Sequence, residues 1–507
     1  MNMDVLILDG SSLSMDRLVH AAKTATEINL EPVSLHRMAD ARRILEYAID
    51  TGTPIYGVTR GLGSKASEVL NKNELTDFSK KTLLGRAHTV GEETSVSGVR
   101  AAMIVRLNTL LSGHSGARPK LAEHLAACLN ANITPVVKSI GSVGVADLLP
   151  NSNLGLSLIG EGMMRDGANG RIDVSSRLML EHGIKPLDLE ARDGLALASN
   201  SSFVAGIAAL NLEEAIQAFN AAQSSAALST EAFRANLSFL DERALSLRPH
   251  KGQSEVTVDL RKKLNGSKLF DYTNARRIQD PLSIRNIPQI HGTVCSAIMY
   301  ARETVEIEIN SVSDNPIVIT QDQEIISCGL YFTSQLCNAI ETVSRAFVHL
   351  ASAQLARTAK HMDANLTELP SYLTKDGTSS AGLAPIMKVQ EALFSELIKA
   401  AQPVTIWPSV SASGIEDCVA GAPTAVKSLA EVAKLSMRMS AVEMIVACQA
   451  FELRDRQLPV GPFIKNLILK LQSLSPRSTQ DQPLGDDIEK IFHAILNGEL
   501  TISPEKK

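Results

Sequence analysis

The sequence predicts a mainly α-helical protein in which a loop-rich N-terminal part is followed by a bundle of long helices. Glycine and proline are concentrated in the first part of the chain, in stretches such as 57–63, 113–119 and 141–150. Later segments instead carry apolar residues at the spacing of one helix face. This contrast predicts two domains, one loop-rich over 1–205 and one built of long helices over 206–507.

The clearest helix prediction covers 423–453. Its apolar residues recur every three or four positions: Leu429, Val432, Leu435, Met439, Val442 and Val446. At 1.5 Å per residue such a helix is about 45 Å long. The same spacing predicts helices at 206–223, 291–309, 333–358, 386–400 and 486–496, the last after a loop at 473–483. These helices are too apolar to be stable alone, so we expect a bundle that can continue across subunits.

The composition is typical of a soluble protein that can build a large core: 507 residues, of which 44% are hydrophobic and 21% charged. A net charge of −5, without a Lys/Arg-rich run, gives no reason to expect binding to nucleic acid or to a membrane surface. The six cysteines contain no C-x-x-C pair, so neither a metal site nor a disulfide framework is expected. No secretory signal and no apolar run of about 18 residues is seen. A cytoplasmic enzyme or binding protein is therefore expected.

Several short motifs, spread over most of the chain, share their order and spacing with one enzyme family. They are Tyr56-Gly-Val-Thr-Arg-Gly-Leu-Gly63, Leu84-Gly-Arg-Ala-His88, Gly141-Ser-Val-Gly144, Gln279-Asp-Pro-Leu-Ser-Ile-Arg285, Asn310-Ser-Val-Ser-Asp-Asn-Pro316 and Glu416-Asp417. On these motifs the chain resembles the histidine, phenylalanine and tyrosine ammonia-lyases. The resemblance implies a fumarase-like helical architecture with 1–205 as the active-site domain. It also implies a small-molecule substrate and a homotetramer whose active sites are each built from three subunits.

One motif departs from the family pattern. Relatives carry Ala-Ser-Gly after Gly-Ser-Val-Gly and cyclise it into a methylidene-imidazolone, whereas this chain has Val145-Ala146-Asp147 and is one residue shorter. No serine is present to supply the methylidene, and no glycine to supply the unhindered nitrogen that closes the ring. A second Ala-Ser-Gly, at 412–414, falls within the Glu416 motif and is not expected to cyclise. The sequence therefore predicts neither an imidazolone nor another cofactor or metal.

Without the imidazolone, a different kind of amine has to leave. In the family the ring activates a primary amino group, which is otherwise a very poor leaving group. A quaternary ammonium has no proton to lose, keeps its charge at every pH, and departs as a neutral tertiary amine. We therefore expect a carbon–nitrogen lyase for a trimethylated, histidine-type betaine. Ergothioneine is the substrate of one relative of this family, and the expected reaction converts it to thiourocanate and trimethylamine.

Tyr56 matches the family's catalytic base, which removes the β-proton as a phenolate; the alternative is a loop tyrosine packed on the core. A phenolate needs a nearby cation, for which Arg60 and Lys388 are the candidates. Lys388 interrupts an apolar segment, so it is either a surface residue or a cation aimed at the thione sulfur of the substrate. Leu282 stands where relatives carry a second tyrosine, in agreement with the missing ring.

Arg285 matches the family's carboxylate-binding arginine, since its planar fork suits a carboxylate, and Gln279 belongs to the same motif. An ion pair between helices is the alternative for Arg285. His88 occupies the family's side-chain selectivity position and would bind the substrate ring, unless it is a core histidine. Glu416 matches the carboxylate of histidine-specific members. It would pair with a ring nitrogen or balance the trimethylammonium group, unless its role is structural.

Three further positions are candidates for substrate contact. Asn200 or Ser199 aligns with the family's substrate-binding asparagine, although either could instead cap a helix. Tyr331 and Phe332 replace a Phe-His pair and would either form an aromatic wall for the methylated cation or fill the core. Asp147, in the rewritten segment, could face the same cation.

Two other functions are compatible with the sequence. A degenerate family member kept as a binding or scaffold subunit would also lack the ring, but that role does not require Tyr56, Arg285 and Glu416 to be retained. The second alternative is a histidine or tyrosine ammonia-lyase or aminomutase that activates its amine in another way. An absorbance scan for the imidazolone and a comparison of substrates would separate the three functions.

Overall fold

The computed structural model describes residues 5–375, 379–405, 410–454, 458–476 and 481–500, and it confirms the mainly helical fold, with about 60% helix. Contacts divide the chain into two compact units, each assembled from separate stretches of sequence. The first comprises Met1–Leu210, Arg302–Ile340 and Pro403–Val426, and the second Asn211–Ala301, Glu341–Gln402 and Lys427–Lys507. The division into 1–205 and 206–507 stays a prediction, and the contact-based units differ from it in being discontinuous.

Helices form most of both units. The helices of the first unit are Met15–Lys23, Pro32–Asp50, Leu75–Leu84, Val96–Leu111, Pro119–Asn130, Leu148–Leu158, Ser175–Glu181 and Asp193–Ala198. Those of the second unit are Glu242–Ser246, Lys251–Lys263, Leu282–Arg285, Ala364–Thr367, Ile386–Ala400, Pro462–Leu474 and Gly485–Leu496. The longest helices contain a boundary between the two units: Ser202–Phe233, Ile287–Glu308, Ser334–His361 and Ala422–Glu452.

The strands of the first unit are short and form small sheets. The parallel pair is Val5–Leu8 with Glu27–Leu30. The antiparallel sheets are Val90–Glu93 with Lys138–Ile140, Ile133–Pro135 with Met163–Asp166 and Ile172–Val174, and Ile317–Ile319 with Glu324–Ile326. The strand at 138–140 ends shortly before the rewritten segment at 145–147. Its pairing therefore fixes the backbone that precedes this segment.

Periodicity located most of the long helices to within a few residues, but the helix predicted at 206–223 continues to Phe233. The prediction 386–400 is confirmed by Ile386–Ala400, and 291–309 and 486–496 are confirmed by Ile287–Glu308 and Gly485–Leu496. The other predicted helices correspond to Ser202–Phe233, Ser334–His361 and Ala422–Glu452. Of the predicted loop at 473–483, residues 477–480 lie outside the described residues.

The segment Asp193–Phe233 is long and apolar enough to cross a membrane by composition, which the sequence analysis did not anticipate. Within its most apolar stretch, however, 89% is buried inside the protein. An apolar helix buried in this way is typical of the core of a large globular protein.

A buried carboxylate organises the polar core of the first unit. Asp314 is fully buried and accepts hydrogen bonds from Arg106 (Nη1–Oδ2, 2.8 Å) and from Arg192 (Nη2–Oδ1, 2.9 Å). Ser115 donates a further bond from its hydroxyl at 2.8 Å. Burial alone would raise the pKa of Asp314, but the two guanidinium groups hold that pKa below its usual value. The carboxylate thus ties together three distant parts of the sequence, around residues 106–115, 192 and 314.

A second buried carboxylate, Glu443, organises the polar core of the second unit. Arg357 donates to both of its oxygens (Nε–Oε1, 2.6 Å; Nη2–Oε2, 3.1 Å). The hydroxyls of Ser225 and Ser229 each donate one more bond at 2.8 Å. Burial opposes ionisation, but Arg357 holds the pKa of Glu443 below its usual value. These bonds join three long helices within the second unit.

Substituting Asp314→Asn should lower the stability of the protein strongly. Asparagine has nearly the same shape, but it leaves the guanidinium groups of Arg106 and Arg192 buried without a counter-charge. Loss of one partner of a buried ion pair costs about 3–5 kcal/mol, which for a chain of this length corresponds to a fall of about 3–5 °C in the thermal unfolding midpoint. The matched control is Asp50→Asn, because Asp50 pairs with Lys72 at the surface, where such pairs contribute about 1 kcal/mol or less. Equal midpoints for the two variants would contradict the central role of Asp314.

Candidate active site

Tyr56 lies in a loop that folds back on itself. Gly57 and Gly63, on either side of the loop, take positive φ angles of 65° and 59°, which residues with a side chain adopt rarely. The end of the loop returns to Tyr56, because the Gly63 N–H donates to its hydroxyl oxygen at 3.0 Å. Tyr56 itself is half-buried. A donor directed at this oxygen stabilises negative charge on it.

Glu416 is held in a second loop that contacts the first. The backbone N–H of Ser411 donates to the Glu416 carbonyl oxygen at 2.8 Å, and the Ser411 hydroxyl donates to its carboxylate at 3.0 Å. The turn Ala412–Gly414 between these residues packs against the turn Gly63–Lys65 of the tyrosine loop. The two motifs, about 350 residues apart in sequence, thus contact each other in the first unit.

Tyr331 belongs to the same group of side chains. Burial raises the pKa of Tyr331, and negative charge on its neighbours raises it further; these neighbours are Tyr56, Cys328, Glu416 and Cys418. The residue is half-buried. The first unit therefore gathers two phenols and a carboxylate whose charges act on one another, which is the chemistry of a site that moves protons.

Arg86 is a cation of this site that the sequence analysis did not identify. Burial lowers the pKa of Arg86, and negative charge on Tyr56 and on Glu416 opposes that shift. Its guanidinium donates to the Thr82 carbonyl oxygen at 3.3 Å. Arg86 stands in the Leu84–His88 motif, but nothing in a single sequence distinguishes an inward-facing arginine there from a surface one. Arg86 therefore lies within electrostatic reach of Tyr56 and Glu416.

The rewritten segment forms a tight turn beside Tyr331. Gly144 and Ala146 both have positive φ angles, of 82° and 63°. The Gly144 carbonyl oxygen accepts from the Thr333 hydroxyl at 2.9 Å, and the Ala146 N–H donates to the Tyr331 carbonyl oxygen at 3.3 Å. Val145 pairs with Phe332 in an antiparallel bridge. The turn at 144–147 is therefore bound along its backbone to the strand-like segment that carries Tyr331.

Asp147 does not face an open site, contrary to the suggestion that it could meet the substrate cation. Its side chain is 1% exposed, and its oxygens accept from the Ser142 hydroxyl at 2.5 Å and the Val204 N–H at 2.8 Å. Burial raises the pKa of Asp147 to about 6, against the effect of these hydrogen bonds. Burial likewise raises the pKa of Glu308 to about 7, and negative charge on Asp147 adds to that shift.

The residues of this turn do not fit the family's imidazolone. Ring closure needs a serine side chain between an alanine carbonyl and a glycine nitrogen, and the turn offers the methyl group of Ala146 between Val145 and Asp147. The Ala146 carbonyl oxygen is already bound by the Asn200 N–H at 3.0 Å. At the second Ala-Ser-Gly, the Gly414 N–H donates to the Ser411 carbonyl oxygen at 3.0 Å. Within the described residues, no group of three or more His, Cys, Asp or Glu side chains could hold a metal ion.

Asn200 is fully buried beside this turn, and its side chain is bound by the protein. Its amide donates to the carbonyl oxygens of Ala196 and Leu197 at 3.2 and 3.0 Å. Its oxygen accepts from the Ser202 N–H at 3.1 Å, at the start of the helix Ser202–Phe233. This is the geometry of a helix cap, which was one of the two roles considered for it. Its role in substrate binding stays a prediction.

His88 and Arg60 lie at the edge of this region. His88 is exposed, but its neighbour Thr89 packs against Gly141, where a Cβ atom would come within 2.9 Å of the threonine methyl group. Arg60 is half-buried, and its backbone pairs with Val69 in the tyrosine loop. The roles of both side chains in substrate binding stay predictions.

The remaining candidates belong to the second unit. Arg285 ends the short helix Leu282–Arg285, and with the Gln279 amide turned so that both groups are satisfied, its Nη2 donates to the Gln279 oxygen at 3.1 Å. The two residues are thus neighbours in the second unit. The Lys388 side chain is 82% exposed and pairs with Glu391 at 3.1 Å. In the single chain Lys388 is therefore a surface residue, and its approach to a substrate stays a prediction.

Comparison with known proteins identifies the wider group. A family model described as aromatic amino acid lyase matches residues 13–473. Histidine ammonia-lyase of Treponema denticola is 30% identical over 501 residues, 98% of each chain. The crystal structure of ergothionase from Treponema denticola, an ergothioneine-degrading enzyme in complex with desmethyl-ergothioneine sulfonic acid, matches with a TM-score of 0.94 at 27% identity over 98% of this chain and 99% of that one. Tyrosine aminomutase from Streptomyces globisporus matches at 0.90, with 28% identity over 98% and 97%.

The fold and these matches define a carbon–nitrogen lyase of the ammonia-lyase class. The chain belongs to the aromatic amino acid lyase family, since the family model spans most of its length. The resemblance seen in the motifs and the ammonia-lyase-like architecture are thereby confirmed. The roles assigned to individual residues stay predictions.

Replacing Glu308→Gln should stabilise the protein relative to wild type more at about pH 8 than at about pH 5. A glutamate in the unfolded chain has a pKa of 4.5, whereas burial raises the pKa of Glu308 in the folded protein to about 7. Between these values the folded protein holds a proton that the unfolded chain has released, so wild-type stability falls as pH rises. Glutamine has no such dependence. The difference in unfolding free energy should grow by about 1–3 kcal/mol, measured by urea unfolding at both pH values.

The control for this substitution is Glu303→Gln, which removes an exposed carboxylate from the same helix. Glu303→Gln measures how the unfolding free energy changes when this helix loses one exposed negative charge. If the stability gain of Glu308→Gln were the same at both pH values, Glu308 would not hold a proton in the folded protein at neutral pH.

Proposed function

We propose that this chain eliminates trimethylamine from a trimethylated, histidine-type betaine, with ergothioneine as the leading substrate and thiourocanate as the second product. The proposal rests on one observation. The turn that family members cyclise contains neither the serine nor the glycine of the ring, whereas Tyr56, Tyr331 and Glu416 still gather beside it. A site that keeps its proton-moving groups without the amine-activating ring suits a substrate whose amine is already activated.

The elimination balances without any cofactor. Tyr56, as phenolate, takes the β-proton, and the electron pair of that C–H bond forms the new double bond. The C–N bond breaks, its electron pair stays on nitrogen, and neutral trimethylamine departs. Developing negative charge next to the substrate ring is spread over the imidazole-2-thione, which is where a cation would assist.

The residues of the first unit support the role of Tyr56. The Gly63 N–H donates to its oxygen, and the charges of Tyr56 and Arg86 act on one another, so a donor and a cation are available to the proposed base. Glu416 pairs with a ring nitrogen or balances the trimethylammonium group, and Tyr331 offers an aromatic face to the methylated cation. Arg86, in place of Arg60 or Lys388, is the proposed cation beside Tyr56.

We propose that further residues join the site when chains assemble. Arg285, with Gln279 beside it, binds the substrate carboxylate through its planar guanidinium. His88 and Asn200 contact the ring and the backbone of the substrate. Because relatives of this family build each active site from three subunits, we propose a cytoplasmic homotetramer in which Lys388 of one copy meets the thione of a substrate bound by another.

The relatives point to two substrate classes. The ergothionase structure holds an ergothioneine analogue, whereas curated relatives of 28–30% identity are named histidine ammonia-lyase. Histidine ammonia-lyase activity is therefore the second candidate, favoured by the retained Glu416. Binding of a betaine without turnover is the third, expected of a degenerate family member.

A comparison of substrates separates these candidates. The purified protein is incubated with ergothioneine, with trimethylhistidine lacking the sulfur, with histidine and with tyrosine, while the absorbance of a conjugated acrylate and the release of trimethylamine or ammonia are followed. We expect trimethylamine from ergothioneine and no ammonia from histidine. Tyr56→Phe, which cannot accept the proton, should be slower by about 10²–10⁴-fold.

The outcomes are distinct. Ammonia from histidine, or the absorbance of an imidazolone in the purified protein, would exclude the cofactor-free betaine lyase. Inertness toward all four compounds, with binding still measurable, would favour a binding role.

The contribution of Lys388 can be isolated by a matched pair of substitutions on one helix. Lys388 and Lys399 are 82% and 80% exposed, and each pairs with a glutamate three residues away. Lys388→Met should lower kcat for ergothioneine by about 10²-fold, because the charge beside the thione is lost, whereas Lys399→Met should leave kcat unchanged. Equal activities of the two variants would remove Lys388 from the site.

A further inference from the structure

The turn at 144–147 is held from inside by a pair of side chains, Ser142 and Asp147. The Ser142 hydroxyl donates to Asp147 Oδ1 at 2.5 Å, and the same hydroxyl oxygen accepts from the Gly144 N–H at 3.0 Å. The other carboxylate oxygen, Oδ2, accepts from the Val204 N–H at 2.8 Å, in the first turn of the helix Ser202–Phe233. An anion at the start of a helix is stabilised by the helix dipole. Both ends of the turn are therefore fastened to one buried carboxylate.

Backbone hydrogen bonds connect the turn to the segment that carries Tyr331. The Gly144 carbonyl oxygen accepts from Thr333, and the Ala146 N–H donates to the carbonyl oxygen of Tyr331. Gly144 is also closely surrounded, since a Cβ atom there would lie 3.0 Å from Thr333 Oγ1 and 3.1 Å from Ala420 Cβ. The position of the Tyr331 phenol therefore depends on the shape of a turn whose shape depends on Ser142 and Asp147.

We propose that Ser142 and Asp147 form a positioning pair that fixes Tyr331 against the substrate cation, in a turn that family members instead make rigid by covalent ring closure. This inference rests on the proposed function and deepens it, because it assigns a task to the segment that lacks the ring. Neither side chain touches the substrate. Both act through the backbone of residues 144–146.

A purely structural role would give different results. Removing one hydroxyl from a buried hydrogen-bonded pair lowers stability modestly, and an enzyme that remains folded would then keep its turnover. A positioning role predicts a loss of kcat in the folded enzyme, because a small displacement of a group at the reacting centre can cost about 10²-fold. The two roles are separated by kinetic and spectroscopic measurements on folded variants.

The central variant is Ser142→Ala, with Ser142→Thr as the conservative variant that keeps the hydroxyl. Ser139→Ala, at an exposed serine of the preceding strand, is the matched control. We expect Ser142→Ala to lower kcat for ergothioneine by about 10- to 100-fold. We expect Ser142→Thr to recover most of this loss, and Ser139→Ala to match wild type. Combined with Tyr331→Leu, which removes the aromatic face, Ser142→Ala should slow the enzyme no further, because both act through one ring.

A second readout does not depend on turnover. A 3-nitrotyrosine placed at position 331 titrates at an accessible pH, and its phenolate absorbs visible light. Ser142→Ala should lower its titration midpoint by about one unit, since a displaced side chain loses the burial that disfavours its charged form. If wild type releases no trimethylamine, the proposed function fails, while this shift still decides whether Ser142 positions residue 331. Should Ser142→Ala not fold, Asp147→Asn provides the same measurements.

Three results would overturn the positioning pair. The first is an unchanged kcat together with an unchanged titration midpoint in folded Ser142→Ala or Asp147→Asn. The second is a double variant with Tyr331→Leu in which the two losses multiply, because independent effects do so. The third is a Ser142→Thr enzyme that is as slow as Ser142→Ala.

Discussion

The geometry of the first unit depends on one buried ion cluster, the Asp314 carboxylate between the guanidinium groups of Arg106 and Arg192. Arg106 also donates to the carbonyl oxygen of Ala196, and the Asn315 side chain accepts from the Cys328 N–H at 2.9 Å. The two backbone segments that flank the rewritten turn, before Asn200 and before Tyr331, are thus both attached to this cluster. Disturbing a buried, paired charge costs free energy. The backbone segments on both sides of the turn are therefore held in place.

That constraint supports the proposal of a site that works without the family's covalent ring. The turn at 144–147 has Asn200 on one side and Tyr331 on the other, and both bind its backbone directly. These neighbours bind the turn through its backbone, so their contacts need neither the serine nor the glycine of the ring. Asp147 accepts hydrogen bonds from Ser142 and from the start of the helix Ser202–Phe233. These bonds stabilise the turn. The tyrosine and glutamate loops then meet beside a framework that needs no ring.

Features that depend on neighbouring residues in the sequence could be predicted, whereas features that depend on long-range contacts could not. Ile386–Ala400 could be bounded from its sequence because apolar spacing and helix geometry have the same period. Tyr56 and Glu416 could be named because their motifs are specific. Arg86 could not, since its direction depends on how the helix Leu75–Leu84 packs on elements far away in sequence. The burial of Asp147 and the exposure of Lys388 likewise follow from tertiary neighbours that no short pattern encodes.

The chemistry of the turn also affects how the protein matures. A family member that builds an imidazolone must cyclise and dehydrate its own backbone after folding, and it is incompetent until that reaction is complete. A turn of Val145, Ala146 and Asp147 has no such reaction to perform, so folding and assembly are its only steps. Newly made chains would be competent as soon as they assemble, and denatured protein that refolds would regain its site without a separate covalent step.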